Sequence, residues 1–389
     1  MRDNTVNVFL ALVRLGIGHS AYTQVESVDW YALKALAEEH GLSAVVLDGI
    51  DRLTLDGSPF TDEQPLEMKL DWIGDVLGDY EQRYEQYKRA IADLAGWHKT
   101  HGFKMMVLKG YACSLDWPKP EHRPCGDIDI WQFGQQKEAD AALTTWFKSS
   151  SDSGVQEFEI DNSHHHHTVF EWEGFTVENH YDFLNVHHHK SNVEIEAILK
   201  ELGGENNLND NNNHDSETNT DGTNITNVIV NGEKVYLPSP NLHALFLLRH
   251  SMSNFASTGL ELRQLLDWGF FVEKHGEKVD WTWLQDVTTR YGMKPLFDIF
   301  NAICVEDLGF DASIFPTLQF LPALKERVLN DILSREFSEK EEGGFIRRAI
   351  FKYRRWKANA WKHELCFNDS LSSAFWSGVK SHLLKPSSI

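Results

Sequence analysis

Hydrophobic residues recur at helical spacing through much of the first 100 residues. In residues 29–41 the apolar positions share one helical face, Asp29 is placed to cap the start of the helix, and Gly41 is placed to end it. A segment of the same design covers residues 280–292. Both segments predict amphipathic helices that bury one side against a core.

Two further helices are predicted before residue 101. A stripe of aromatic and aliphatic residues predicts a long helix over residues 67–101. Residues 1–20 contain an apolar run that Arg14 interrupts, and no clear small-residue cleavage site follows it. We therefore expect an amphipathic first helix there rather than a signal peptide.

The pattern changes after residue 101, where short β-like runs are separated by turn residues. Glu173-Gly174 and Asn231-Gly232 each lie between two such runs and predict tight hairpin turns. A helical pattern over residues 136–148 separates the second run from the third. The predicted strands cover residues 104–108, 127–131, 155–160, 168–172, 175–181, 228–230 and 234–237.

These elements predict an α+β fold with a small mixed sheet and helical regions at both ends. The expected organisation is a helical N-terminal region over residues 1–100, a core over residues 101–240 and a helical C-terminal region over residues 241–389. An Asn- and Asp-rich segment near residues 204–227 predicts a solvated or disordered loop inserted in the core.

Composition narrows the class of protein. The 389 residues, 41% of them hydrophobic, are enough for a large buried core. A formal net charge of −21 argues against broad electrostatic binding to nucleic acid or to anionic lipid. Four widely spaced cysteines without a C-x-x-C pair fit a reducing, cytoplasmic location, and no apolar stretch is long enough to predict a membrane span.

The most informative chemistry is a pair of carboxylates two residues apart. On a strand, Asp127 and Asp129 would project from one face, about 7 Å apart, while Ile128 and Ile130 project from the other. Two carboxylates with open space beside them at Gly126 suit a hard divalent cation such as Mg²⁺, which also coordinates phosphate.

Neighbouring cations extend this interpretation. Two divalent ions about 4 Å apart can activate an attacking oxygen and stabilise the leaving oxygen at a phosphorus centre. Lys109 and Arg123 would complement the charge of a triphosphate. A D-x-D pattern also occurs as a solvated strand face or a capping pair, so the residues alone leave both interpretations open.

The same segment resembles a known family. Leu108-Lys109-Gly110, followed after a spacer by Arg123-Pro124-Cys125-Gly126-Asp127-Ile128-Asp129-Ile130, is similar to the uncharacterised bacterial nucleotidyltransferases of the DNA polymerase β-like superfamily. The family's later E-x-H pattern corresponds to Glu178-Asn179-His180, and the resemblance extends over about residues 25–310. Relatives in the superfamily usually carry Gly-Ser or Gly-Gly where this chain has Lys109-Gly110-Tyr111.

This resemblance implies a nucleotidyltransferase-type sheet and a transfer of nucleoside monophosphate from a nucleoside triphosphate to a hydroxyl acceptor, with Mg²⁺ (or Mn²⁺) as cofactor. The acceptor stays open between a small molecule, a protein and RNA, and no membrane partner is expected. The alternative is a non-catalytic protein that keeps the fold and binds a nucleotide or a partner.

The resemblance also implies roles for individual residues. The catalytic and metal-binding carboxylates would be Asp127, Asp129 and Glu178. The nucleotide-binding residues would be Lys109, Gly110, Arg123 and Gly126. Arg123 would either pair with phosphate or orient the D-x-D turn, and His180 would support the site or be a core histidine. Glu157 and Glu159 compete with Glu178 for the role of third carboxylate.

Three other patterns have structural and functional interpretations. In the histidine runs 164–167 and 187–189, alternate side chains of a strand would diverge, so we expect adventitious nickel or zinc binding rather than a dedicated site. Residues 345–363 predict a basic amphipathic helix, either a structural helix or a docking surface for RNA or an acidic membrane. Arg263 and Asp267, four apart, predict an exposed helical ion pair.

Overall fold

The N-terminal region is helical, as expected. The computed structural model describes residues 3–19, 28–55, 64–150, 158–187, 189–208, 223–316, 318–337 and 345–373. The first helices are α1 (Asn4–Gly16), α2 (Trp30–Glu39), α3 (Ser43–Leu55), α4 (Leu66–Asp75) and α5 (Arg83–Thr100). A π-helical segment, Val76–Gln82, joins α4 to α5. The predicted long helix is therefore continuous but changes its winding near the middle.

The predicted helix caps are confirmed. Asp29 accepts a hydrogen bond from the Ala32 amide at 3.0 Å, and Asp280 accepts one from the Trp283 amide at 2.9 Å. Gly41, just after α2, has a φ of +64°, the left-handed conformation that ends many helices. These local signals worked because a cap depends on residues only a few positions apart.

One mixed sheet of six strands occupies the middle of the chain. The strands are β1 (Met106–Val107), β2 (Ile128–Trp131), β3 (His167–Trp172), β4 (Phe175–His180), β5 (Thr226–Val230) and β6 (Glu233–Leu237). Their order is β3-β4-β2-β1-β6-β5. The pairs β2–β4 and β1–β6 are parallel, and the other neighbours are antiparallel. The helices that accompany the sheet are α6 (Tyr111–Ser114), α7 (Gln136–Ser150) and α8 (Lys190–Leu202).

Both predicted hairpins form, with positive φ at Glu173, Gly174, Asn231 and Gly232. A strand is predicted over residues 155–160, but residues 158–160 form none, so the prediction is wrong there. The next residue, Asp161, makes a single β-bridge to Val169. Residues 155–157 lie outside the described residues. Of the predicted loop over residues 204–227, the structure describes a short 3-10 turn, Glu205–Asn207, and the start of β5, but not residues 209–222.

The C-terminal region is helical. Its helices are α9 (Pro240–Ala256), α10 (Leu262–His275), α11 (Trp281–Arg290), α12 (Lys294–Glu306), α13 (Pro322–Leu333), α14 (Phe345–Ala358) and α15 (Ala360–Cys366). Short 3-10 helices lie at Pro120–His122, Gly276–Lys278 and Ala312–Ile314. Within the described residues, every helix is too short or too polar to cross a membrane.

The two faces of the sheet contact different partners. Ile128, Ile130 and Val177 pack in a hydrophobic cluster with α5 and α7. On the other face, Met106 and Trp131 belong to a larger cluster that also contains side chains of the N-terminal and C-terminal helices. The face of β2 that carries Asp129 is therefore enclosed by helices from both ends of the chain.

A carboxylate after α15 caps the start of α8 from 179 positions away. Asp369 accepts hydrogen bonds from the Lys190 amide at 3.1 Å, from Ser191 Oγ at 3.2 Å and from His189 Nδ1 at 3.1 Å. Burial opposes ionisation of Asp369, but these hydrogen bonds outweigh it and lower its pKa from 3.8 to about 2.

We expect Asp369→Ala to lower the free energy of unfolding by about 1 to 2 kcal/mol at pH 7, because it removes this cap. A carboxyl whose pKa is lower in the folded protein stabilises the fold at pH values above its pKa in the unfolded chain. The difference in unfolding free energy between wild type and variant should therefore shrink as the pH falls from about 4 towards 2. Urea denaturation at several pH values measures it. Glu364→Ala, at an exposed position on α15, is the control, and a pH-independent difference would contradict the prediction.

Candidate active site

The D-x-D strand lies parallel to β4, and the register of this pair decides which side chains meet. Asp129 is aligned with Glu178, and ligand atoms of Asp129, Glu178 and His180 all lie within 4.8 Å of one another. The Asp129 side chain is 2% exposed and that of Glu178 is 22% exposed. The structure thus places Glu178 beside Asp129, whereas Glu159 is exposed and Glu157 lies outside the described residues.

Two cations contact the buried carboxylate. Lys109 Nζ lies 2.8 Å from Asp129 Oδ1, and His180 Nε2 lies 3.0 Å from the same oxygen. Burial opposes the charge of Asp129, but Lys109 and His180 outweigh it and hold its pKa well below the usual range. Burial also favours the neutral imidazole, yet hydrogen bonds with Asp129 and Glu178 raise the pKa of His180 to about 9. The cluster is thus a set of paired buried charges.

Asp127 lies at the edge of this cluster. It precedes β2 directly, is exposed, and lines the same cleft as Asp129. Among the described residues, its carboxylate is not part of the group of ligand atoms within 4.8 Å. Partial desolvation in the cleft, together with the Asp129 carboxylate, raises the pKa of Asp127. The exposed Asp127 and the buried Asp129 therefore form an acidic site that opens into the cleft.

Gly110 lies where the backbone passes close to this loop. It precedes α6 with a φ of 47° and a ψ of −100°, a conformation that residues other than glycine rarely adopt. A Cβ built there would lie 2.5 Å from Tyr87 Oη, which donates a hydrogen bond to the Asp127 carbonyl at 2.8 Å. Gly126 differs, because a Cβ there would have no atom within 4 Å.

We expect Gly110→Ala to destabilise the protein by about 1 to 3 kcal/mol, because it combines a strained backbone with a steric clash. Removing the clashing hydroxyl in a Tyr87→Phe background should reduce this loss. Gly126→Ala, in open space on the loop before β2, should change stability by less than about 0.5 kcal/mol. Thermal unfolding of the variants tests the contrast, and equal effects of the two alanines would refute it.

The cluster lies in a large cleft. Its volume is about 1730 Å³, and its lining includes residues of the sheet and of α9, α10 and α14. From α14, Lys352, Tyr353 and Trp356 line the cleft that also contains Asp127 and Asp129. Pockets for a single drug-sized ligand have volumes of about 300–1,000 Å³, so this cleft has room for more than one ligand of that size.

Comparison with known protein families agrees with the motif. A model of the uncharacterised nucleotidyltransferase family matches residues 26–308. The chain belongs to this family. No curated protein matches the chain significantly. Among solved structures, the crystal structure of an antigenic nucleotidyltransferase-like protein from Paracoccidioides brasiliensis is similar at 17% identity, with a TM-score of 0.29, over 59% of this chain and 95% of that chain.

In this nucleotidyltransferase family member, Arg123 points into the protein. Its Nε and Nη2 donate to the two carboxylate oxygens of Asp267 at 2.8 and 2.9 Å, and Trp117 Nε1 donates to the same group at 2.9 Å. Arg123 is only 5% exposed. Of the two predicted roles, this geometry favours orientation of the D-x-D turn over pairing with phosphate.

The exposed ion pair predicted between Arg263 and Asp267 is wrong. Asp267 is buried by its contacts with Arg123, and Arg263 instead lies 2.5 Å from Glu261. Sequence analysis missed the Arg123–Asp267 pair because the two residues are 144 positions apart, so no local pattern connects them.

The basic segment over residues 345–363 is also not one helix. Asn359 separates α14 from α15, and Lys362 is a core residue, 2% exposed and 2.5 Å from Asp331. Lys362 therefore neutralises a buried carboxylate and adds no charge to a surface. The exposed arginines, such as Arg347 and Arg348, lie on α14.

The histidine runs converge more than predicted. His166 and His167 offer ring nitrogens within 4.8 Å of a ring nitrogen of His180. Neighbouring side chains point to opposite faces only inside a strand. Because β3 begins at His167, His166 lies outside the strand and its side chain need not point away from that of His167. His164 instead contacts Asp161 at 3.5 Å, and His188 lies outside the described residues.

Proposed function

We propose that this protein is a metal-dependent nucleotidyltransferase, which transfers a nucleoside monophosphate from a nucleoside triphosphate to a hydroxyl acceptor and releases pyrophosphate. Family membership supports nucleotidyl transfer in general. The observation that carries the proposal is the alignment of Asp129 with Glu178 on adjacent parallel strands, with Lys109 2.8 Å from Asp129.

The donor set fits a divalent cation such as Mg²⁺ or Mn²⁺. Asp127, Asp129 and Glu178 supply carboxylate oxygens, the ligands that these ions prefer, and the first of them opens into the cleft. In the structure Lys109 and His180 contact the Asp129 carboxylate, and a bound cation would share this acidic group with them. When bound, the cation would activate the acceptor oxygen and neutralise the leaving pyrophosphate.

The protein's own groups would supply positioning and charge. Lys109, held beside Asp129, is placed to neutralise phosphate oxygens, and the Gly110 backbone allows a close approach to them. Arg123, fixed by Asp267, would keep the D-x-D turn in place. Catalysis would then rest mostly on orientation and electrostatics, as is general for phosphoryl and nucleotidyl transfer.

The central test is label transfer from α-phosphate-labelled nucleoside triphosphates in the presence of Mg²⁺ or Mn²⁺. The wild-type protein should label an acceptor in a mixture of RNA, protein and small metabolites, and Asp127→Asn/Asp129→Asn should not. Asp298→Asn is the control, because Asp298 is as buried as Asp129, also pairs with a lysine, Lys294, and lies outside the cleft. Undiminished transfer by the double variant would end the proposal.

RNA is a candidate acceptor because basic and aromatic side chains of α14 line the same cleft as the carboxylates. Arg354 and Arg355 lie on the same helix. Under this proposal, Arg354→Glu/Arg355→Glu should weaken RNA retention by about 10-fold or more while nucleotide binding is unchanged. Lys99→Glu/Arg290→Glu makes the same change of charge elsewhere on the surface. Filter binding at fixed salt compares them, and equal losses would point to net charge alone.

A further inference from the structure

We propose that His166, His167 and His180 form a binding site for a transition-metal cation of the Zn²⁺ class, on the wall of the cleft beside the carboxylates. Ligand atoms of the three rings lie within 4.8 Å of one another. Their ring centroids are separated by 4.3, 5.2 and 5.6 Å. The three imidazoles therefore have ring nitrogens close enough together to be offered to one ion.

The second observation is that buried ring nitrogens in this group lack hydrogen bonds. His167 is 5% exposed, and within the part of the chain that the structure describes neither of its ring nitrogens has a hydrogen-bond partner. The same holds there for His166 Nδ1. A buried polar atom without a partner is costly, and a coordinated cation would remove that cost.

The chemistry of the donors selects the class of cation. Imidazole nitrogen is a good ligand for Zn²⁺, Co²⁺ and Ni²⁺ and a poor one for Mg²⁺. Tetrahedral Zn–N bonds of about 2.0–2.1 Å place nitrogens roughly 3.3 Å apart, so small side-chain rotations would close the observed spacing. Three protein ligands would leave a fourth position for water or another ligand, as in catalytic zinc sites.

The surroundings also suit a metal site. His180 Nδ1 lies 3.1 Å from the Asp182 carbonyl, the kind of contact that fixes the orientation of a ligating ring. Its Nε2 lies 3.0 Å from Asp129 Oδ1, so on binding the cation this nitrogen would give up its proton and exchange that hydrogen bond for the metal bond. Glu178 Oε1 lies 3.7 Å from His167 Nε2, so a carboxylate borders the group. His180 belongs to both this group and the Asp129–Glu178 cluster, which places the proposed cation next to the site of nucleotidyl transfer.

The experiment is a titration of metal-free, untagged protein with Co²⁺, a spectroscopic substitute for Zn²⁺. We expect one Co²⁺ per chain with the intense visible absorption of four-coordinate cobalt. His166→Gln/His167→Gln should weaken the affinity by at least about 100-fold, since removal of outer partners alone costs about 10- to 100-fold. His164→Gln/His165→Gln, in the same run but outside the group, should keep the spectrum, and circular dichroism checks that each variant is folded.

The outcomes separate this site from adventitious binding and from the proposed reaction. Absorption that is lost in His164→Gln/His165→Gln but kept in His166→Gln/His167→Gln would overturn the proposal, as would its absence in the wild type. Excess Mg²⁺ should not displace the cobalt, and displacement would locate the ion at the carboxylates instead. Asp127→Asn should keep the spectrum even where it abolishes nucleotidyl transfer, so failure of one proposal does not decide the other.

Discussion

Changing Glu178 to glutamine is expected to lower the rate of nucleotidyl transfer by about 10²- to 10³-fold while nucleotide binding is retained. The amide has the shape of the carboxylate but lacks its charge. Glu178 is aligned with Asp129 and lies in the cleft, so under the proposed function it is the acid that would complete the metal shell. Single-turnover label transfer measures the rate, and fluorescence or calorimetric titration with nucleotide measures the binding.

Glu171→Gln is a matched control for this variant. Glu171 lies on β3, next to β4 in the same sheet, and accepts a hydrogen bond from Thr176 at 2.7 Å outside the cleft. The Glu171→Gln variant should transfer nucleotides at the wild-type rate. If the Glu178→Gln variant also transfers them at the wild-type rate, Glu178 is not a metal ligand. If the wild type binds nucleotide and never transfers it, the non-catalytic alternative is correct.

Asp267→Ala is expected to lower the free energy of unfolding by about 3 to 5 kcal/mol. The Arg123 guanidinium is buried and donates two of its hydrogen bonds to Asp267, so the change leaves a charge and several donors without a partner. Trp117 also loses its acceptor. Urea denaturation at neutral pH measures the loss.

An exposed ion pair provides the comparison for Asp267. Asp286 and Arg290 lie four positions apart on α11, and both side chains are well exposed. Because water screens this pair, Asp286→Ala should change stability by less than about 0.5 kcal/mol. A loss of less than about 1 kcal/mol in Asp267→Ala would mean that the Arg123 guanidinium finds other partners or water.

The two aspartates show why position in the sequence is a poor guide to burial. Both lie on helices, and both have an arginine four positions away, at Arg263 and Arg290. The local pattern is the same at both aspartates, but only Asp286 forms the exposed pair with its neighbouring arginine. The partner of Asp267 is Arg123, from the loop before β2 and 144 positions away. Bringing the two together costs chain entropy, which is offset only by the packing of the whole fold.

Sequence patterns were sufficient wherever a few neighbouring residues determine the outcome. The caps at Asp29 and Asp280, the turns at Glu173-Gly174 and Asn231-Gly232, and the placement of Ile128 and Ile130 opposite Asp129 all follow from backbone geometry over two to four residues. The family motif could also be read from the sequence, because it is defined by the order and spacing of its residues along the chain.

The tertiary structure alone decided which distant residues meet. The parallel register of β2 and β4 brings Glu178 to Asp129. The start of β3 brings His166 and His167 close to His180, and burial makes Lys362 the partner of Asp331 rather than a surface charge. Each of these contacts joins segments that the linear order keeps apart. Their formation depends on burial and strand register, which are properties of the whole packed chain rather than of any short stretch of it.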